Sequence, residues 1–438
     1  MDTEMRKTEE LLAFVAESPT PYHAVAAVER RLMAGGFTRL YETEGWELEP
    51  GRGYYVVRGG TSLLAFRVQT RDFYNFQTVL CHSDSPCLRV KENGQMAVLK
   101  RYACLNVEKY GGLLLAPWLD RPLSVAGRVV LETEDGVAER LVDFGRDLLV
   151  IPNVAIHMDR TANDGKKYEV QKDMLPLYGQ DISEDTFRAQ LAGLAGCGTE
   201  QILSADLYVY NRVAGRIWGA ECEFFSAPRV DDLQCAFGGL CAFLGGSHPR
   251  TAAVFAMLDH EEVGSRSRQG ADSTFLRDCL GRVNRVFVRD EEQYLRAVAA
   301  GFQISADNAQ AVAPSHPEKY DPINRVYMND GVVIKYHGEQ KYTTDGLSAA
   351  VVKRLADRAG VPVQVFTNHS DVGGGSTLGN LSNSQVSFLS ADIGLAQLAM
   401  HSPYETAGVK DTVYLVQLLE AYYRSCLCRD EKGLHWEH

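Results

Sequence analysis

The 438-residue chain lacks most of the features that would place a protein in a class at once. It has no run of five lysines or arginines, and 45 Lys+Arg against 57 Asp+Glu leave a formal charge of −12. A nucleic-acid partner, which needs a clustered basic surface, is therefore not expected. No apolar stretch approaches the roughly 18 residues of a membrane span. The opening Met-Asp-Thr-Glu-Met-Arg-Lys and the short apolar stretch from Leu11 to Val15 do not read as a signal peptide. Ten cysteines are scattered rather than dense, which argues against a secreted disulfide scaffold. Reduced thiols, a cytoplasmic location and no membrane partner are expected. Cys426 and Cys428 are separated by one residue with no matching Cys/His pair after them, so a zinc ribbon is not expected there. Solenoid repeats and low-complexity linkers are also absent.

What remains is an ordinary globular composition, 45% apolar and 23% charged, in a chain long enough for two or three domains. Residues 4–34 carry apolar positions at helical spacing around Ser18-Pro19-Thr20-Pro21, which predicts two helices with a break between them. Strand-like runs follow at Tyr54 to Val57, Leu63 to Val68 and Thr78 to Cys81. Residues 87–219 shift to short strand-like runs, including Ala97 to Leu99, Val129 to Leu131 and Leu148 to Ile151. This reads as an inserted β-rich unit. After about residue 220, strand-like runs at Ala252 to Leu258, Arg285 to Val288, Val332 to Ile334 and Val361 to Phe366 alternate with helical patterns. The expectation is an α/β fold whose central sheet is mostly parallel, built from residues 1–86 and 220–438 and interrupted by residues 87–219.

Five segments place acidic or imidazole groups beside the ends of apolar runs: His82-Ser83-Asp84, Val230-Asp231-Asp232, Asp259-His260-Glu261-Glu262, Ser305 to Asn308, and Met400-His401-Ser402. In open α/β sheets, ligands bind outside the carboxyl ends of the strands, so these segments are placed to converge. Together they supply what a hydrolytic pair of divalent ions needs: His and carboxylate ligands, and a group to take a proton from water. Asp231 is the candidate bridge between two ions. His82 and Asp307 complete one shell, Glu262 and His401 the other, with Glu261 as general base. Asp84 lies on the same side of an extended segment as His82, placed to hold its imidazole in the ligating tautomer. Zinc is the first choice of metal, and manganese or cobalt also suits such donors.

Two near-motifs fail. Gly373-Gly374-Gly375-Ser376-Thr377 has neither a Gly-Lys-Ser/Thr ending nor dinucleotide-binding spacing, and reads instead as a tight loop lining the site through Gly374 and Ser376. His260-Glu261-Glu262-Val263-Gly264 has Gly where the one-helix zinc protease motif needs a second His.

With Ser18-Pro19-Thr20-Pro21-Tyr22-His23, Pro152 to His157, Pro228 to Leu233, Asp259 to Ser265 and Gln397 to Ser402 in this order, the chain resembles the M18 family of metalloaminopeptidases, the aspartyl aminopeptidases and their relatives. The resemblance spans nearly the whole chain. It implies a zinc-peptidase catalytic domain interrupted by a dimerisation domain, and a homo-oligomer, a dodecamer built from dimers. It also implies two metal ions on His82, Asp231, Glu262, Asp307 and His401, with Glu261 as base. His157 matches a loop imidazole that reaches a neighbouring subunit's site, and is otherwise a hydrogen-bonded loop residue. Lys335 matches a lysine facing an acidic P1 side chain, and is otherwise a solvated strand lysine. The chain departs from the family where histidines commonly follow Asp307, carrying Gln310 and Ala313, and it has Tyr404-Glu405 where Arg-Glu is common.

The function expected is release of single N-terminal residues from peptide substrates, acidic ones first. Three rivals stand beside it: the same mechanism with neutral or hydrophobic preference, in an M18 branch or the related M42 peptidases; a non-catalytic metal-stabilised assembly protein; and, least favoured, nucleotide or nucleic-acid binding.

Overall fold

The computed structural model describes residues 2–431 and 433–437. Its largest element is a nine-stranded sheet. From edge to edge the strands are Thr38–Leu40, Gly53–Arg58, Ser62–Val68, Thr251–Leu258, Asn75–His82, Phe302–Ala306, Leu389–Gly394, Val332–Lys335 and Val363–Phe366. The four adjacent strands Thr251–Leu258, Asn75–His82, Phe302–Ala306 and Leu389–Gly394 are mutually parallel, so their carboxyl ends lie on one side.

Strands buried on both faces need apolar residues on both faces, and Thr251–Leu258 shows how the sequence meets that demand. Its alternate residues Ala253, Phe255 and Met257 enter one core with helices Val230–Gly245, Gly346–Ala359 and Asp411–Tyr423. Ala252, Val254, Ala256 and Leu258 enter a second core on the other face, with helices Phe275–Val286, Glu291–Ala299 and Leu378–Gln385. The N-terminal helices Asp2–Ala16 and Pro21–Ala34 cover the first face, and Thr20 caps the second of them.

Residues 87–211 build a separate six-stranded sheet, antiparallel throughout, in the order Gly136–Asp143, Leu123–Thr133, Ile202–Asn211, Cys87–Val98, Tyr102–Tyr110 and Leu177–Gln180. It has its own apolar core, joined by helix Thr186–Ala195. A five-stranded sheet includes Phe224–Ala227, Ala396–Leu398 and Glu405–Gly408 and lies next to the carboxyl ends of the parallel strands.

Two strand expectations fail. Arg285 to Val288 is the end of helix Phe275–Val286, because Leu276, Cys279, Leu280 and Val283 form an apolar stripe at helical spacing, and Val288 turns out at positive φ with 88% exposure. Leu148 to Ile151 makes only isolated bridges, Leu123 to Leu149 and Val150 to Leu177.

Phe255 is fully buried at the contact with helix Val230–Gly245, so close that a Cβ on Gly239 would come within 3.1 Å of its ring. Phe255→Ala should destabilise the protein by about 3–5 kcal/mol. Thermal unfolding of variant and parent side by side reads this as an earlier transition, and an unchanged transition would show that this contact is dispensable.

Candidate metal centre

Parallel strands about 4.8 Å apart bring the residues at their ends close together without further design. His82 ends its strand, Asp259 to Glu262 follow Leu258, and Asp307 follows Ala306. Asp231 enters from the start of helix Val230–Gly245, and His401 from the connection between Ala396–Leu398 and Glu405–Gly408. All six of His82, Asp231, Glu261, Glu262, Asp307 and His401 line one cavity of about 320 Å³.

Asp231 sits between the two histidines. Its Oδ1 is 3.3 Å from His82 Nε2 and its Oδ2 is 3.6 Å from His401 Nε2. His82 Nε2 is also 3.8 Å from Asp307 Oδ1, and His401 Nε2 is 3.4 Å from Glu262 Oε1. Three overlapping donor groups result: His82 with Asp231, Asp232 and Asp307; His82 with Glu261 and Glu262; and Asp231 with Glu262 and His401. Within each group the donor atoms lie within 4.8 Å of one another.

The other ring nitrogen of each histidine decides what Nε2 can do. His82 Nδ1 is 3.0 Å from the carbonyl oxygen of Asp84, and His401 Nδ1 is 2.9 Å from that of Gly112. A carbonyl only accepts, so both Nδ1 atoms carry a proton and it is Nε2 of each ring that faces carboxylates, with a lone pair for a metal whenever the ring is neutral. Lone pair against carboxylate is repulsive unless a cation or a proton lies between them. Asp231 Oδ1, Asp232 Oδ1 and Glu262 Oε1 are moreover buried without a hydrogen-bond donor. This donor set fits divalent cations.

The charge balance agrees. Burial would lower the His82 pKa, but Asp232, Asp231, Asp307 and Asp84 hold it well above its usual value. Burial likewise opposes protonation of His401, yet Asp231 and Glu262 raise it to about 10. Burial pushes the Glu261 carboxyl up to about 8, with His82 opposing and Asp307, Asp84 and Asp231 reinforcing the rise. Burial and Asp231 raise Glu262 as well. In effect, the acidic wall captures protons wherever no other cation neutralises it.

His82 Nδ1 lies nearer the main-chain carbonyl of Asp84 than its carboxylate, whose Oδ1 is 3.4 Å away, and the carboxylate is engaged elsewhere. Its Oδ1 accepts from Glu261 N–H and its Oδ2 from Glu262 N–H, both at 3.1 Å, and Tyr110 donates to Oδ2 at 2.6 Å. One carboxylate thus fixes the short turn Glu261–Val263, entered through His260 and left through Gly264, both at positive φ. Lys335 is not a solvated strand lysine: it is 2% exposed, lines the cavity, donates to Asn308 O at 2.8 Å and lies 3.5 Å from Asp307 Oδ2. Ser376 lines the cavity with Gly375 and Thr377, whereas Gly374 is not among its lining residues and instead packs, at positive φ, against Asn368. His157 is exposed and lies outside the cavity of its own chain.

Sequence reasoning missed two carboxylates. Asp232 Oδ2 accepts from His82 N–H at 3.0 Å. Glu405 accepts from Asp231 N–H at 3.1 Å through Oε2, and from His401 N–H at 2.7 Å and Gln397 Nε2 at 3.3 Å through Oε1. The signals were present, since Asp232 adjoins Asp231 and Glu405 follows His401 by four residues. Backbone contacts of this kind leave no periodic trace.

Residues 14–423 match the family described as aminopeptidase I zinc metalloprotease (M18). The probable M18 family aminopeptidase 2 of Clostridium acetobutylicum is 39% identical over 433 residues, covering 97% of this chain and all of the relative. A chain in the cryo-EM structure of the Ape4 and Nbr1 complex superposes with a TM-score of 0.92 at 33% identity, covering 96% of this chain and 86% of that one. The S. cerevisiae mApe1 dodecamer shares the fold, with a TM-score of 0.84 at 24% identity and 97% of each chain covered.

A protein whose folded form alone gathers this donor set gains stability from metal, about 2.7 kcal/mol at a hundredfold excess over Kd. Chelation should therefore lower the thermal transition and added zinc should restore it. Glu405→Gln puts an amide donor in place of one of the two oxygens that accept from Asp231, His401 and Gln397, and should weaken metal retention by about 10–100-fold in a chelator competition. Equal retention by variant and parent would remove Glu405 from the support of the centre.

Proposed function

The chain is a metal-dependent aminopeptidase of the M18 family, and on that premise we propose that it releases single N-terminal residues, acidic ones preferentially, using two divalent ions. The observation that carries this reading is the pair of imidazoles, each fixed at Nδ1 by a carbonyl and facing acids through Nε2, with Asp231 between them. Asp231 would bridge the ions, His82 and Asp307 would hold one, and Glu262 and His401 the other. Zinc is the first candidate, with manganese or cobalt also compatible with the donors. Such ions supply Lewis acidity toward the scissile carbonyl and bring the pKa of water toward neutrality.

The chain's own residues do the rest. Glu261, held through its N–H by Asp84, accepts the proton of the attacking water on its carboxylate and passes it to the departing amine nitrogen. Asp84 and Glu405 keep the ligands and the base in place through backbone N–H groups. The acidic wall receives the free amine of the substrate.

Lys335 supports the acidic preference, because no other lysine or arginine lines the cavity among the described residues. A second reading, preference for neutral or hydrophobic residues, is favoured by Phe366, Leu381 and Met400 in the lining and by Gln310 and Ala313 where family histidines are common. Residues 1–86 and 220–438 form the catalytic domain in this proposal, and residues 87–219 a dimerisation domain within a dodecamer. The stretch carrying His157 exposes Val154, Ile156 and Met158, the last by 82%, as a segment that docks on another subunit would. On this reading His157 contributes to a neighbour's site. The ten free cysteines fit a reducing, cytoplasmic setting.

Amino-acid release from matched Asp-, Glu-, Leu- and Ala-initiated peptides tests the substrate reading. Faster metal-dependent release of Asp or Glu is expected, whereas faster release of Leu or Ala would move the enzyme to the second reading. Glu261→Gln should lower kcat by about 10²–10⁴-fold with metal content unchanged. Near-normal turnover of that variant would remove Glu261 as the base. Light scattering should give twelve times the 48.5 kDa chain mass, and a smaller particle would overturn the dodecamer.

A further inference from the structure

Outside the catalytic cavity, the described residues hold one more group of metal-ligating side chains, in the C-terminal hairpin Cys426–Asp430 and Gly433–Glu437. The antiparallel register pairs Cys426 with Glu437 and Cys428 with His435. Residues directly opposite in an antiparallel pair point to the same face, as do positions i and i+2 of one strand. Cys426, Cys428, His435 and Glu437 therefore share one face, at the corners of a quadrilateral. The cysteine pair looked incomplete in sequence because its counterpart is not another Cys/His pair but a His and a Glu, returned by the turn.

The opposite face anchors the hairpin. Leu427, Leu434 and Trp436 pack on the main core, Arg358 lies 4.6 Å above the Trp436 ring, and Leu427 O accepts from Asn75 Nδ2 at 2.8 Å. The other face carries the buried thiols of Cys426 and Cys428 beside the more exposed side chains of His435 and Glu437.

Three of the four donors already stand at distances that suit one tetrahedral ion, and His435 would complete the set by turning in from the facing strand. Cys426 Sγ and Cys428 Sγ are 3.7 Å apart. Two thiolates bound at about 2.3 Å around a tetrahedral zinc stand about 3.8 Å apart. Glu437 Oε2 is 3.6 Å from Cys428 Sγ, and ligand atoms of Cys426, Cys428 and Glu437 all lie within 4.8 Å of one another. Glu437 also meets Arg250, which holds the carboxylate at this spot. His435 is half exposed, with Nδ1 3.8 Å from Asp430 Oδ2, and lies across the strand pair from Cys428.

We propose that this hairpin is a metal site separate from the catalytic cavity, in which Cys426, Cys428, His435 and Glu437 bind one zinc ion that staples the two strands together. The ion displaces the two thiol protons, and Glu437 turns from Arg250 to the metal. Burial and the neighbouring thiol push the Cys426 thiol up to about 12.

The test uses the purified full chain, reduced and loaded with cobalt(II). The catalytic donor groups contain only imidazole and carboxylate, so a near-ultraviolet thiolate-to-cobalt charge-transfer band that depends on Cys426 and Cys428 reports the hairpin site. The band is expected in the parent and absent from the Cys426→Ser/Cys428→Ser variant, with zinc content lower by one ion per chain. Should that variant fold poorly, His435→Ala and Glu437→Gln alter side chains at the surface. Each should weaken cobalt binding at the band by about tenfold or more, the scale on which even outer partners of a metal act. Peptide turnover should be unchanged in His435→Ala. No band in the reduced parent, a band surviving loss of both cysteines, or a pair that takes up no cobalt after reduction would each overturn the proposal.

Discussion

Asp231, Asp232, Glu261, Glu262 and Asp307 share one buried space with a single ammonium, Lys335, and two imidazoles, and this concentration of negative charge governs the rest of the site. Two like charges 4 Å apart cost about 4 kcal/mol at an effective dielectric of 20, so several such pairs exceed what a marginally stable fold tolerates without neutralisation. The parallel sheet creates the problem by bringing strand ends together. It also creates the solution, because acids and imidazoles arriving from different strands surround a common centre and can share cations there.

Holding such a centre requires every ligand to be fixed from behind, and the chain does this largely with backbone groups. Carbonyls of Asp84 and Gly112 fix the two histidines, while the carboxylates of Asp84, Asp232 and Glu405 accept backbone N–H groups of Glu261, Glu262, His82, Asp231 and His401. Gly112 lies just beyond strand Tyr102–Tyr110 of the six-stranded sheet, and Tyr110, from the end of that strand, binds Asp84. The insertion therefore contributes directly to the order of the site. Losing its packing would loosen His401 and the turn of Glu261 together.

Part of the cavity lining was legible in sequence because strand ends are: apolar runs that stop at His82, Leu258 and Ala306 mark both the strands and the positions beyond their carboxyl ends, whereas Asp231 and His401 arrive from a helix start and a strand connection. The run Ala252 to Leu258 was legible as a strand, but its division between two cores is seen only in the structure. Arg285 to Val288 misled because a short apolar run carries no period of its own, and the stripe from Leu276 to Val283 decides its helix. Asp232 and Glu405 escaped because their partners are backbone N–H groups distant in sequence, fixed only by tertiary structure. Gly374 and Ser376 illustrate the resolution of a loop reading, which located the segment but not which of its residues would face the cavity.

Lys335 shows where ligand support and substrate choice become inseparable. Burial opposes its charge, yet Asp307 and the other acids raise its pKa, so it stays an ammonium against a ligand carboxylate. Its second bond, to Asn308 O, ties it to the same strand end as Asp307. On the proposed reading, any exchange of Lys335 changes the charge balance at Asp307 as well as the charge offered to a substrate side chain, and so disturbs metal and specificity together. On that same reading, variation in substrate preference at constant metal chemistry falls to lining residues outside the donor set, such as Gln310, Phe366 and Ser376. Gln310 stands where family members commonly place a histidine, which is where such variation leaves the ligands undisturbed.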